Sequence, residues 1–200
     1  RRCASAAAKP RQWPSSCFDP RPVFGTHDLA LFAVTVLVLN ATPGVDLALT
    51  LVSTLKGGVR AGLAAAAGIA SGCVIHTLAA AFGLAALLAA SSAAFSVVKW
   101  AGAAYLLWLA VGLLRQGLRS GSATSSDAVP APVPKSPTEL FRHGFLTNVL
   151  NPKVALFFLA LLPQFIDADA SNKTLAFLFL GTWFVVQGFA FLAIFVLLMA

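Results

Sequence analysis

Charged residues are scarce in this chain. Only 10% of its 200 residues are Asp, Glu, Lys or Arg, against about a quarter in a soluble domain, and that excludes an ordinary water-soluble fold. Acids are scarcer than bases, 7 against 14. The three cysteines, Cys3, Cys17 and Cys73, form no C-x-x-C pair, so a zinc or thiol-redox centre has little support. Cys73 reads as a small buried apolar residue. There is no G-x-S-x-G, no paired-carboxylate motif and no histidine pair at metal-ligand spacing, which removes the usual enzyme constellations. The expectation is no enzyme, no cofactor and no metal site.

What is present is hydrocarbon. Hydrophobic residues make up 58% of the chain, and the mean hydropathy is +0.84. A helix crosses the hydrocarbon core with about 20 apolar residues, and five runs approach or exceed that length: Leu29–Val52, Leu63–Ala90, Ala93–Leu114, Leu146–Ile166 and Leu175–Ala200. The fold class predicted is all-α, a polytopic membrane helix bundle. The second run is longer than one crossing requires, so it tilts or begins outside the core. Gly58 and Gly62 at its entry, and Gly68 and Gly72 within it, are two pairs of small residues four apart, a pattern that lets helix backbones approach closely in lipid.

The net charge of +7 does not call for a nucleic-acid partner, because the bases lie mainly between the runs. Lys56 and Arg60 follow the first run; Arg115, Arg119, Lys135 and Arg142 follow the third. The positive-inside rule then places both connections in the cytoplasm and the start of the first run outside. Residues 1–28 oppose this with Arg1, Arg2, Lys9, Arg11 and Arg21. They lack an initiator Met and an apolar segment of signal-peptide length, so they are expected to be a mis-set start or a disordered extension. The segment 115–140 reads as a Pro/Ser-rich cytoplasmic linker, irregular over residues 120–138. It separates a three-helix repeat, 29–114, from a second repeat, 141–200, with two helices. Three-helix repeats make six, so five helices of six are expected here, in a C-terminally truncated chain.

Two proline signatures break the first helix of each repeat: Asn40-Ala-Thr42-Pro43-Gly44-Val-Asp46 and Asn148-Val-Leu-Asn151-Pro152-Lys153. Proline removes a backbone donor and clashes with the preceding turn, and in hydrocarbon the freed groups need protein or a water-filled cavity. Breaks in matching positions of two halves point to a transporter's midplane site; two packing kinks are the alternative. Thr42-Pro43 and Asn151-Pro152 both read as an N-cap followed by proline at the first helical position. Each break would then aim a positive helix end at the gap, where a carboxylate docks.

Asp46 is the only acid well inside a membrane run, where an isolated charge is costly. It should face the interior and meet an ammonium, a coupling ion or a proton, unless it serves only the helix dipole. Lys153 sits near a positive helix end, which calls for an anionic partner, either Asp46 or a substrate carboxylate; snorkelling is the alternative. Asn40 and Asn148 can bond across the gap or satisfy freed backbone groups. His76, in the middle of the second run, is a candidate proton relay, with a packing histidine as the competing reading; Gln187 in the fifth run is equally open. His27 and His143 flank membrane runs as interface residues.

At these residues the chain resembles the LysE/RhtB family of amino-acid exporters. Thr42-Pro43-Gly44-Val45-Asp46 is similar to that family's Pro-Gly-Pro-Asp region, and Gly57 to Gly62 to its following loop. Lys99-Trp100 through Tyr105 and Trp108 resembles its third helix, and Asn148 through Pro163-Gln164-Phe165 its fourth. The resemblance implies a six-helix, multi-pass protein of the bacterial inner membrane that exports amino acids or derivatives, homoserine-, threonine- or lysine-like, driven by the proton gradient. Its partners are then an amino-acid substrate, protons and the lipid bilayer, with homo-oligomerisation open. Val45 departs from the family pattern where a second proline is usual, and the sixth helix is absent. Export of a metal cation or another small solute, or a non-transport membrane subunit, are the competing functions.

Overall fold

The structure, a computed structural model, describes residues 23–86, 136–167 and 169–200, with isolated positions between 91 and 111. Five α-helices dominate the described residues, and no strand occurs among them: α1 Leu29–Ala41, α2 Val45–Ala79, α3 Pro137–Val149, α4 Pro152–Ala160 and α5 Lys173–Met199. The all-α helix bundle is therefore as expected. The outer faces are apolar: Leu31, Val34 and Val38 of α1 and Val186, Ile194 and Leu197 of α5 are exposed. In water such faces would drive association; against lipid they cost nothing.

The helices do not coincide with the apolar runs one for one. The first run is α1 plus the beginning of α2, interrupted at residues 42–44. α2 itself is two limbs, because Gly58 holds φ 71° and ψ −169°, a conformation open essentially to glycine alone. Gly62 lies against the Thr54 hydroxyl. Eight residues of continuous helix would set them about 12 Å apart, so the chain reverses at Gly58. The limb 45–57 completes the first apolar run and the limb 59–79 leads into the second. The second limb runs on into a π-helical turn, Ala80–Leu84.

The third run lies largely outside the described residues, and with it Lys99, Tyr105 and Trp108; Trp100 is described and is exposed. The fourth run is α3 plus α4, two halves bent by 50° at the Pro152 break. Two boundaries differ from expectation. α3 begins at Pro137, inside the segment expected to be irregular, because Ser136 and Glu139 form a reciprocal capping box that starts the helix there. Residues 23–28, expected to belong to a disordered extension, are held against the end of the fourth run. Thr26 pairs with Ile166 in an isolated antiparallel bridge, His27 N–H donates to the Phe165 carbonyl, and Asp167 N–H donates to that of Gly25. Residues 1–22 lie outside the described part.

Small residues set the close crossings. Gly68 sits on the backbone of Phe141, and Gly144 on that of Ala65, so α3 lies parallel to the second limb of α2 with almost no side chain between them. α5 runs antiparallel to the same limb, Gly181 meeting Thr77 and Val196 meeting Gly62. Aromatic packing fills the other half of the bundle. Phe32 of α1, Phe157 and Phe158 of α4, and Phe177 and Phe184 of α5 are all buried in one cluster. Burial of a large apolar side chain is worth about 1.5–3 kcal/mol in water; in lipid the gain comes instead from tight packing of this kind.

Candidate functional site

The bridge between Thr26 and Ile166 ties the start of the first run to the end of the fourth, so the two broken runs are antiparallel. Both breaks fall at the same level. The limb beginning at Val45 and helix α4 beginning at Pro152 therefore point their N-terminal ends at a shared gap from opposite sides.

The second break is built as expected. Asn151 is the N-cap: its Oδ1 accepts from Lys153 N–H at 3.0 Å, and Pro152 occupies the first turn. The first break is built differently. Thr42 is not an N-cap; it closes α1, and its hydroxyl donates back to the Val38 carbonyl at 2.7 Å. Gly44, fully extended, is the residue from which α2 starts. The reason is local: a threonine at a helix end can return its hydroxyl to the turn behind it, which leaves no oxygen aimed at the new helix. Pro43 and Pro152 break the chain without lining the gap.

Across the gap the connections are reciprocal. Asp46, in the first turn after one break, accepts through Oδ2 from Asn148 Nδ2 at 3.0 Å and Asn151 Nδ2 at 3.3 Å, both at the other break. Lys153, in the first turn after the second break, reaches back to the Thr42 carbonyl at 3.4 Å and lies over the bare face of Gly44. Asp46 and Lys153 form no ion pair with each other within 4 Å. Of the two anionic partners considered for Lys153, Asp46 is thus not the one in contact.

Asn148 is wholly buried and is placed by a glycine. A Cβ on Gly72 would lie 2.8 Å from its side chain, so only glycine at that turn of α2 leaves the amide its room. His76, one turn further on, meets the Asn148 carbonyl through Nε2 at 3.1 Å and lies tilted against the Phe158 ring, centroids 5.8 Å apart. It stands behind Asn148 rather than in the gap, beside a second, apolar hollow bounded by Ala80, Leu84 and Leu159. Gln187 is a tie between helices: it accepts from Trp183 and donates to the Ala33 carbonyl, both at 2.8 Å. His27 pairs with Asp28 at 3.1 Å near the Thr26 bridge. Cys73 is a buried free thiol.

A small cavity of about 60 Å³, partly open to the surroundings, occupies the gap. Asn40, Thr42, Gly44, Asp46, Asn148, Asn151 and Lys153 all line it. Three buried polar atoms there have no partner: Asn40 Nδ2, Asp46 Oδ1 and Asn148 Oδ1. Such atoms are costly to leave bare. The sequence reading missed the opposite wall, Phe184, Gly188, Phe189 and Leu192 of α5. One signal was available: Gly181 and Gly188 are seven apart, two turns along the same face of one apolar helix.

A family model for LysE type translocators matches residues 37–200. The chain belongs to the LysE type translocator family. Among its relatives, a homoserine/homoserine lactone efflux protein of Salmonella typhimurium is 34% identical over 135 residues, 68% of this chain and 63% of that protein. A leucine efflux protein of Enterobacter is 29% identical over 171 residues, 85% of this chain and 78% of that one. An uncharacterized membrane protein of Vibrio cholerae is 34% identical over 141 residues, 70% of this chain and 66% of its own length. The chain thus spans just under two thirds of the Salmonella and Vibrio relatives. No solved structure matches it significantly.

Proposed function

We propose that this LysE-family protein is a secondary transporter that exports an amino acid or a close derivative across the bacterial inner membrane, in exchange for protons. The observation that carries the reading is one cavity with an acid and a base on opposing half-helices. Asp46 supplies a carboxylate for a substrate ammonium, and Lys153 with the N-terminal end of α4 supplies positive charge for a substrate carboxylate. Asn148 and Asn151 hold the Asp46 carboxylate in place. When no ammonium is bound, a proton is the remaining cation that can satisfy Asp46 in hydrocarbon, and this couples the two. His76, bonded behind Asn148, is the candidate route for that proton.

In this reading the protein spans the bilayer several times as two repeats, the first over residues 29–114 and the second over residues 141–200. Relatives named for efflux of homoserine and leucine favour a transporter over an enzyme. A hard metal cation fits less well, because it wants several oxygen ligands and would meet the ammonium of Lys153. The test is exchange in proteoliposomes carrying the protein. Homoserine or leucine inside should accelerate uptake of the labelled amino acid, and an inward proton gradient should drive net movement in the opposite direction. No exchange of any amino acid, with protein correctly inserted, overturns the reading.

A further inference from the structure

Gly188 differs from the packing glycines of this bundle. At Gly62, Gly72 and Gly181 an added Cβ would press on neighbours within 3 Å, and at Gly68 and Gly144 it would strike the backbone of the facing helix. At Gly188 the nearest atoms all belong to the Asn40 amide, at 3.5, 3.6 and 3.9 Å, which is ordinary van der Waals contact. Packing therefore does not require glycine there, and glycine in a helix interior weakens the helix relative to alanine. What the missing methyl does is leave a space about one methyl wide against Asn40, at the edge of the cavity, where the Asn40 Nδ2 is buried and unpartnered.

Among the described residues, the charges lining the cavity are one acid, Asp46, and one base, Lys153. An α-amino acid uses both with its own ammonium and carboxylate, which leaves no counter-charge for a charged side chain. The rest of the wall near Gly188 is apolar, with Phe184, Phe189 and Leu192. We propose that Gly188 and Asn40 border the specificity end of the site, where the uncharged side chain of an α-amino acid lies beside the Asn40 amide and against Phe184, Phe189 and Leu192. This inference rests on the transport reading above and goes further, naming the substrate class and the residues that select it. A second cation at this end would be desolvated without a partner, which excludes lysine-like substrates.

The test is exchange in proteoliposomes across alanine, serine, homoserine, leucine and lysine, with wild type, Gly188→Ala and Asn40→Asp. Wild type should exchange the uncharged amino acids well and lysine poorly. Gly188→Ala, which the 3.5 Å spacing accommodates without disturbing the helix, should cut leucine and homoserine exchange about tenfold relative to alanine, the scale of one methyl in a fitted pocket. Asn40→Asp should raise lysine relative to leucine by placing a counter-charge at that end. Wild type that exchanges lysine as well as leucine overturns the inference. So does an unchanged substrate profile in both variants, or an equal loss for every substrate. In each of these cases exchange by wild type still stands, so the transport reading is untouched; absence of any wild-type exchange sinks that reading instead.

Discussion

Asp46 shows how a single side chain can be held ready without being satisfied. One carboxylate oxygen takes both asparagine amides, and the other, Oδ1, is buried and bare. Asp46→Asn keeps the size but turns half of the acceptor into a donor facing two donors. Exchange should fall close to background with normal membrane insertion, a loss of at least about a hundredfold on the scale of a buried charged hydrogen bond. Wild-type exchange in this variant would show that Asp46 serves only the dipole of its helix. Lys153→Gln separates two sources of positive charge. If the N-terminal end of α4 does most of the carboxylate binding, exchange should fall by only about tenfold, a single exposed-to-half-buried interaction; a loss equal to that of Asp46→Asn would make Lys153 the anchor.

The elements around the gap owe their shape to a few positions where only one residue type fits. Asn151 caps α4 and also donates to Asp46. Asn151→Ala should lower stability by about 1 kcal/mol for the cap and reduce exchange as well, because one side chain carries both jobs. Thermal unfolding in detergent and exchange, measured together, check this; loss of stability alone would mean that the Asn151–Asp46 bond is idle. Gly58 turns the first crossing into the second at positive φ, and any other residue there is strained by about 1–3 kcal/mol. Gly72→Leu should be worse for exchange than for stability, since it displaces Asn148 directly. Equal exchange in Gly72→Leu and wild type would separate Asn148 from the site.

For the molecule as a whole, the antiparallel pairing of the two broken crossings is the central fact. Thr26 and Ile166 face each other in an antiparallel bridge, where Cα atoms stand about 4.5–5.5 Å apart, within disulfide range. A double variant, Thr26→Cys with Ile166→Cys, should therefore crosslink on mild oxidation and release on reduction. Failure to crosslink in intact membranes would undo the opposed half-helix ends. The charge pattern carries the orientation: a reporter fused near Val129 should read as cytoplasmic, and periplasmic activity there would show that the basic residues 1–28 set the topology.

Local signals were legible from the sequence alone. Runs of apolar residues determine that helices cross a bilayer, because no other open structure can satisfy its backbone there. Proline after Thr42 and Asn151 determines where two of them break, since the lost donor and the ring clash depend only on the chain itself. An isolated Asp46 in hydrocarbon is costly unless neighbours or a ligand compensate it, which singled it out before any partner was visible. What the sequence left open are relations between distant residues. Thr42 and Asn151 look alike as caps, and only the folded backbone sends one hydroxyl backward and the other side chain forward. That Asp46 meets Asn148, 102 positions away, while Lys153 does not meet Asp46, depends on the glycine-lined crossing of α2 and α3. The same holds for Gly188, indistinguishable in sequence from the packing Gly181, and for residues 23–28, whose short mixed sequence says nothing about the strand-like bridge that holds them. Hydropathy and proline act within a few residues of themselves. Which polar atoms are paired, and which are left bare, is decided by how helices distant in sequence come together.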